Sequence, residues 1–256
     1  MATDEPEGDP VSTTPSITPS IDSPLTTLHG HHITLRPLQP SDTPLLYPSL
    51  AGPSNAALWT YLPSDPILDL DSFTTYIEFM CTRTIFFPFV LLSRNPAHFP
   101  PALSLSLSSP IPPEGIPVGI TTLMSIVPAH HTIEIGHVLY SPLLQRSAAS
   151  TEASFLLLKL CFEELRFERV EWKCNDRNLP SAKAAKRLGF SYEGTFRRHM
   201  VVKGRRRDTA WFSVVVEEWE NVKRVLERWL REENFEAGRQ RVRIEDVRAR
   251  LAKNGE

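Results

Sequence analysis

Residues 175–194 read NDRNLPSAKAAKRLGFSYEG, and this stretch decides the fold. Ser181 to Leu188 has the composition of a short helix, and Gly189 closes it because a residue without Cβ takes the left-handed cap freely. Just upstream, Arg169 to Cys174 (RVEWKC) is strand-like. Just downstream, Tyr192 to Lys203 and Thr209 to Glu217 flank KGRRRD, a hairpin turn in which Gly204 supplies the permissive backbone.

Working toward the N-terminus, Thr151 to Leu165 is apolar on most faces and predicts a buried helix. Before it, residues 141–153 read SPLLQRSAASTEA, where a phosphate-binding loop would stand, yet without glycine. Free N–H groups at a helix N-terminus attract phosphate, and Ser147, Ala148, Ala149 and Ser150 are small enough to let it approach. An ordinary strand-to-helix turn capped by Ser150 or Thr151 is the other reading. Val118 to Val127 and Thr132 to Tyr140 predict an antiparallel hairpin around Pro128 to His131.

Further out, HHITLRPL (31–38) alternates as a strand and stops at Pro37 and Pro40, after which Ser41 and Asp42 offer caps. Asp69 to Thr82 spaces Phe73, Ile77 and Met80 as one helix face. Thr84 to Ser93 reads as a buried strand in which Pro88 requires an edge or a bulge. Residues 95–115, rich in Pro and Ser, predict an inserted loop. Val222, Val225, Leu226, Trp229 and Leu230 predict a closing helix.

The termini differ from this middle. Residues 1–28 hold five prolines and five acidic residues with no Lys or Arg, which predicts a disordered acidic tail rich in Pro, Ser and Thr. Residues 233–256 read as a charged tail with at most a solvated helix. Residues 29–232 are expected to form one α+β domain.

Composition removes several function classes. A net charge of -2 gives no reason to expect nucleic acid or an anionic membrane as partner. Cys81, Cys161 and Cys174 are too scattered for a disulfide framework or a metal knot, and His29, His31 and His32 lack a spaced second ligand group, so no metal is expected. The acidic N-terminus does not read as a secretory signal, and no run approaches the roughly 18 apolar residues of a membrane span. A cytoplasmic location is the expectation.

Asn178-x-x-Ser181, Ala184 and Ala185, Arg187-Leu188-Gly189-Phe190 and Glu193-Gly194, set about thirty residues after the strand, loop and buried helix, resemble the cofactor-flanking segment of the GNAT superfamily of acetyl-CoA-dependent N-acetyltransferases. LRPL with Ser41-Asp42, WTYLPSDP (59–66), VGITTLMSI (118–126), IEIGHVLYSP (133–142), STEA (150–153) and GRRRDTAWFS (204–213) are similar, in order, to the branch containing bacterial ribosomal-protein N-terminal alanine acetyltransferases. The resemblance covers about residues 31–219. It implies a mixed, mostly antiparallel, V-splayed sheet flanked by helices.

The resemblance also implies roles. Gln145 would open the pyrophosphate loop, with the backbone of Arg146, Ser147, Ala148, Ala149 and Ser150 around the phosphates. Alanine and serine take helical angles without strain, so the loop is expected to enter the helix directly with no left-handed residue, and Arg146 would add a charged contact. Val138, Leu139 and Tyr140 would pair with the pantetheine arm, Asn178 would bond it from the other side with Ser181 beside it, and an N–H near Leu139 would serve the oxyanion.

An amine attacking the thioester directly needs a base. Glu134 is the first choice, with a solvated edge carboxylate as the plain alternative; His137, three residues on, is expected on the opposite face of the strand, as base or as core histidine. Asp208 could pair with the hairpin arginines or reach the acceptor amine. Tyr140 and Tyr192 are candidates for the general acid, although either could simply pack and solvent could protonate the thiolate. Trp59, Tyr61 and Leu62 with the 95–115 loop would wall the acceptor, a small-molecule amine or a peptide N-terminus. The arginines of residues 197–207 read as a solvated face or as steering for an acidic acceptor or the nucleotide phosphate. A module that binds CoA without transfer, and an enzyme using longer acyl groups, are the competing readings.

Overall fold

A computed structural model describes residues 27–82, 85–98, 111–236 and 239–254. The expected acidic tail therefore lies outside the described residues up to residue 26, as do residues 99–110 of the expected insertion.

The N-terminal half runs β1 (Leu28–His29), β2 (Thr34–Pro37), α1 (Thr43–Leu50), α2 (Leu70–Thr82), β3 (Phe87–Ser93), β4 (Ile116–Val127) and β5 (Thr132–Tyr140). Then come α3 (Ala148–Lys159), β6 (Arg169–Asn175), α4 (Leu179–Leu188), β7 (Ser191–Val202), β8 (Arg205–Val215) and α5 (Val216–Leu230). A short hairpin, β9 (Phe235–Glu236) and β10 (Arg239–Gln240), precedes α6 (Ile244–Asn254). Strands β1 to β8 form one sheet in the order β1-β2-β3-β4-β5-β6-β8-β7. Every pairing is antiparallel except β5 with β6. The α+β expectation holds.

The parallel pairing is short. Thr132 to Glu134 align with Arg169 to Glu171, and beyond them β5 and β6 part, so the sheet opens as a V. Pro88 fits in β3 because β2 pairs only with Phe89 to Leu92, leaving no ladder partner for the missing N–H. The β7–β8 turn is the two residues Lys203 and Gly204, both at positive φ (51° and 67°), the pattern whose twist matches a hairpin.

Burial follows the alternation of the strands. On one face Leu35, Phe89, Leu91, Ile133, Ile135, Val170, Trp172, Phe212 and Val214 pack under α3, α4, α5 and α6. On the other, Val90, Leu92, Ile120 and Leu139 meet α1 and α2 through Leu46, Leu50, Phe73 and Ile77. That second cluster stops at β5, and the same face of β6, β8 and β7 carries charged and aromatic residues instead.

Three expectations need correction. The buried helix starts at Ala148, three residues before Thr151, because Ser147 caps it by accepting the Ser150 N–H at 3.0 Å. The described part of residues 233–256 is not a solvated tail. Ile244 and Val247 join the core under α5, and the Trp229 indole N–H donates to the Val242 carbonyl at 3.0 Å, so burial of two aliphatic side chains and a satisfied indole outweigh the charged composition. No helix among the described residues is long and apolar enough to cross a membrane.

The third correction concerns β5. Thr122 pairs with Gly136 and Ile120 with Leu139, so Thr121 faces two residues, His137 and Val138. This bulge, with His137 at φ 50°, reverses the alternation beyond it. Glu134, Gly136 and Leu139 share the α1/α2 face, and the His137 ring packs there on Tyr76. The rule of two therefore fails for Glu134 and His137.

Candidate active site

The splay is the site's frame. The Ser141 N–H donates to the Val118 carbonyl at 3.1 Å, so by alternation the Leu139 N–H also turns to β4, while those of Val138 and Tyr140 turn into the V. The oxyanion donor expected near Leu139 is thus better matched by its neighbours. Leu139 itself buries its side chain in the α1/α2 cluster, and Val138 and Tyr140 lean toward α3.

The expected phosphate loop lies at one end of the V. The Gln145 N–H returns to the Ser141 carbonyl at 3.1 Å and its side-chain amide donates to the Tyr140 carbonyl at 3.1 Å. Ser147 and Ser150 spend their N–H groups within the turn, whereas those of Arg146, Ala148 and Ala149 have no partner among the described residues. Arg146 stands at φ 60°, so the expectation of a loop without a left-handed residue is overturned. Ser147 is extended (φ -94°, ψ 166°) as the cap, and the chain must reverse sharply before it.

Behind this loop, the sequence reading missed Glu152. Its buried carboxylate accepts the N–H groups of His31 (2.9 Å), His32 (2.6 Å) and Ile33 (3.0 Å). The β1–β2 turn is thereby riveted to the first turns of α3, and a Cβ on Gly30 would lie 2.4 Å from that carboxylate. The motif STEA contains the residue, but only the fold reveals its backbone partners.

Glu134 is not a solvated edge carboxylate. It is buried, accepts from the Ser125 hydroxyl at 2.8 Å and the Lys173 ammonium at 3.0 Å, and its other oxygen would stand 3.2 Å from a Cβ on Gly136. Lys173 also pairs with Glu171 at 2.7 Å and lies 4.1 Å over the Trp211 ring. Lys173 was legible: in RVEWKC the buried Val170, Trp172 and Cys174 leave Arg169, Glu171 and Lys173 on the other face.

The Tyr76 hydroxyl bonds the His137 ring, and burial pushes that imidazole down to about 4, so His137 is neutral at ordinary pH. It is a packed histidine pinning the bulge. The Tyr140 hydroxyl is enclosed on the α3 side, where burial pushes it up to about 12. Tyr192 lies on the outer strand, its hydroxyl with Thr195. Asp208 pairs with its neighbour: bonds from Arg206 (2.7 Å) and the Arg198 N–H (2.6 Å) hold its carboxyl down to about 2.

The opposite arm of the V is closed by α4, which follows β6. Asn178 caps that helix, accepting the Ser181 N–H at 3.2 Å, and the Ser181 hydroxyl accepts from the Trp172 indole at 2.9 Å. The Tyr61 hydroxyl, half-exposed, donates to the Arg177 carbonyl at 3.1 Å and so bridges the α1–α2 connection to the segment before Asn178. Trp59 is a correction. Its side chain is fully buried, donates to the Leu50 carbonyl at 2.8 Å and packs on Phe73 and Tyr76, so it is a core pillar rather than a mobile wall. Only its carbonyl reaches outward, taking the Lys203 ammonium at 2.7 Å.

A V-splayed sheet, a helix N-terminus with free N–H groups at one side and a capped helix at the other now meet the comparisons with known proteins. The model of the acetyltransferase (GNAT) domain matches residues 32–191. The chain belongs to the GNAT acetyltransferase family. A GCN5-related N-acetyltransferase from Brucella melitensis is 32% identical, over 93% of this chain and 99% of that one, with a TM-score of 0.80. The uncharacterized N-acetyltransferase YnaD of Bacillus subtilis is 30% identical over 89 residues, 35% of this chain, and the match spans about half (52%) of that relative's length. The spermidine N-acetyltransferase of Vibrio cholerae, solved with CoA and spermine, shares the fold at 16% identity and a TM-score of 0.55.

Proposed function

We propose that the chain is an acetyl-CoA-dependent N-acetyltransferase that moves an acetyl group to a primary amine by direct attack of the amine on the thioester. The observation that carries this reading is the parting of β5 from β6 after Glu134 and Glu171, which leaves the Val138 and Tyr140 N–H groups facing open space beside the unpartnered N–H groups of Arg146, Ala148 and Ala149. A splayed strand lacks a ladder partner that a pantetheine arm can replace, and a helix start with free donors suits a diphosphate.

Within this reading Arg146, Ala148 and Ala149 hold the phosphates, Gln145 orients the loop through Tyr140, and Asn178 and Ser181 hold the far side of the arm. Bound acetyl-CoA supplies the activated acetyl group. Glu134 takes the ammonium proton through its oxygen beside Gly136, while Ser125 and Lys173 hold its other oxygen. The N–H of Val138 or Tyr140 steadies the oxyanion. Leaving-group protonation falls to solvent, since the Tyr140 hydroxyl is enclosed and Tyr192 is remote.

The acceptor is a small metabolite or a peptide N-terminus, the latter suggested by the resemblance to the ribosomal-protein branch. Tyr61 lines its approach. Three free thiols, all held up by burial, fit a reduced compartment such as the cytoplasm. Calorimetry with CoA followed by thiol release from acetyl-CoA over an amine panel tests the reading. Absence of CoA binding sinks the cofactor assignment, and binding without release on any amine replaces the enzyme by a CoA-binding module.

A further inference from the structure

The face of the sheet beyond β5, left bare by α1 and α2, carries a charge pattern that the transfer reading does not use. Trp211 is in register with Lys173, so the odd residues of β8, Arg205, Arg207, Thr209 and Trp211 among them, share the face of Glu134. Toward β5 the cations of this face are matched: Lys173 has Glu134 and Glu171, and Arg169 has Glu171 and Glu193, while on the other face of β8 Arg206 has Asp208. Arg207, half-buried, has no carboxylate within ion-pairing distance among the described residues, and its Nε–H and the Trp211 indole N–H are both enclosed without a partner.

Arg207 also has a telling position. On β8 it lies two residues before Thr209, the register partner of Asn175 at the end of β6, so it stands beyond the open end of the β6 arm, with Cys174 and Glu134 acting on it electrostatically. Desolvation lowers its pKa, as expected of a guanidinium without an anion. From Trp211 outward the face is continuous. The Phe196 ring packs on it at 4.7 Å and the His199 ring at 5.8 Å, and these two residues line an open depression of about 680 Å³ with Arg197, Arg198 and Arg206. The nearby carboxylate of Asp208 is already spent on Arg206 and the Arg198 N–H.

A site for a polycation would need unspent carboxylates here, and the face offers unspent N–H donors and cationic side chains. We propose that Arg207, with Trp211 and the basic depression on the β7–β8 hairpin, is a carboxylate-binding subsite, so that the amine acetylated by this chain also carries a carboxylate near its amino group. Two sources share that chemistry, a free acidic amino acid and a peptide whose first residues are acidic. The inference rests on the transfer reading. A carboxylate on Arg207 would gain a charge-assisted, bidentate contact and relieve a desolvated charge, while holding the amine end toward Glu134.

The test is thiol release by the full chain from acetyl-CoA with four amines: free glutamate, a tripeptide starting with Glu, its Gln-starting analogue, and spermidine. The expected result is kcat/KM at least about tenfold higher for an acidic arm than for the Gln peptide and spermidine, weakening as salt screens it. The ratio of free glutamate to the Glu peptide then identifies the source. Arg207→Gln should reduce that preference to within about twofold through KM, with Arg207→Lys restoring part of it. The exposed pair Arg197→Gln/Arg198→Gln should reduce the preference in the same direction even where the Arg207 variant fails to fold.

Equal or better turnover of spermidine or the Gln peptide overturns the inference and leaves the transferase standing. So does an Arg207→Gln protein whose CoA affinity falls while its preference persists, because Arg207 then serves the cofactor. CoA binding with no thiol release from any amine removes the transfer reading, and the inference with it.

Discussion

The two walls of the cleft are made of different material. On the side proposed for the cofactor, the V-facing N–H groups of β5 and the start of α3 offer backbone donors among small side chains, and the unusual conformations are those of His137 and Arg146. On the side proposed for the acceptor, β6 and β8 offer charged and aromatic side chains, paired in a ladder from Glu193 through Arg169, Glu171 and Lys173 to Glu134. A wall of backbone groups is conserved in shape whatever small residues compose it, which is how a loop without glycine keeps a helix N-terminus open. A wall of side chains can be rewritten strand by strand without disturbing the fold. The first suits a ligand common to many enzymes, and the second suits the partner that differs between them.

This contrast can be broken at several points. The largest effect belongs to Glu134→Gln, for which kcat should fall on the order of 10²–10³-fold while CoA affinity stays within about twofold. Full activity in steady-state assays would remove the base assignment. Next is Glu152→Gln behind the backbone wall. It replaces one oxygen acceptor by an NH₂ group facing three N–H donors, and should cost about 2–3 kcal/mol in urea unfolding. A near-neutral result would mean that the β1–β2 turn is not riveted as described.

The third concerns pH. His137 is held at about 4 in the folded chain and titrates near 6.5 once exposed, so the unfolded state binds more protons between those values. Stability should therefore fall as pH drops from about 6.5 toward 4, and His137→Gln should flatten that part of the melting-temperature profile. An unchanged profile would show that other groups carry the acid sensitivity.

Smaller effects sharpen the loop itself. Ser147→Ala removes the cap of α3 and should cost about 1 kcal/mol, with a matching loss of CoA affinity if cap and phosphate site are one structure. Arg146→Gly relieves a left-handed arginine, which should offset the added freedom of glycine to within about 1 kcal/mol. It should weaken CoA binding a few-fold by loss of charge; an unchanged affinity, read by calorimetry, would make the wall purely backbone.

Much of the fold was legible because hydrophobic periodicity is local. The helix face of Phe73, Ile77 and Met80, the β7–β8 hairpin around Gly204 and the cap at Gly189 all stand where their residues require. The candidate site was legible only where it is made of segments: the loop from Gln145 to Ser150 and the start of α4. What failed did so for tertiary reasons. Trp59 in WTYLPSDP reads as part of an acceptor wall, yet the Leu50 carbonyl and the rings of Phe73 and Tyr76 claim it. The charged segment after Glu232 reads as solvated, yet Ile244 and Val247 find the core beneath α5.

By itself, then, the sequence determined the elements, their order and the family they resemble, since these depend on residues within a few turns of one another. Only the tertiary structure decided that β5 bulges at His137, that Lys173 answers Glu134, that Glu152 holds the β1–β2 turn, and that Arg207 is half-buried with no ion-pairing carboxylate among the described residues. Each of those facts joins residues from separate strands or helices. Local spacing carries no information about which charge meets which across a sheet, and burial, which fixes the cost of leaving one unmatched, exists only once the chain has closed.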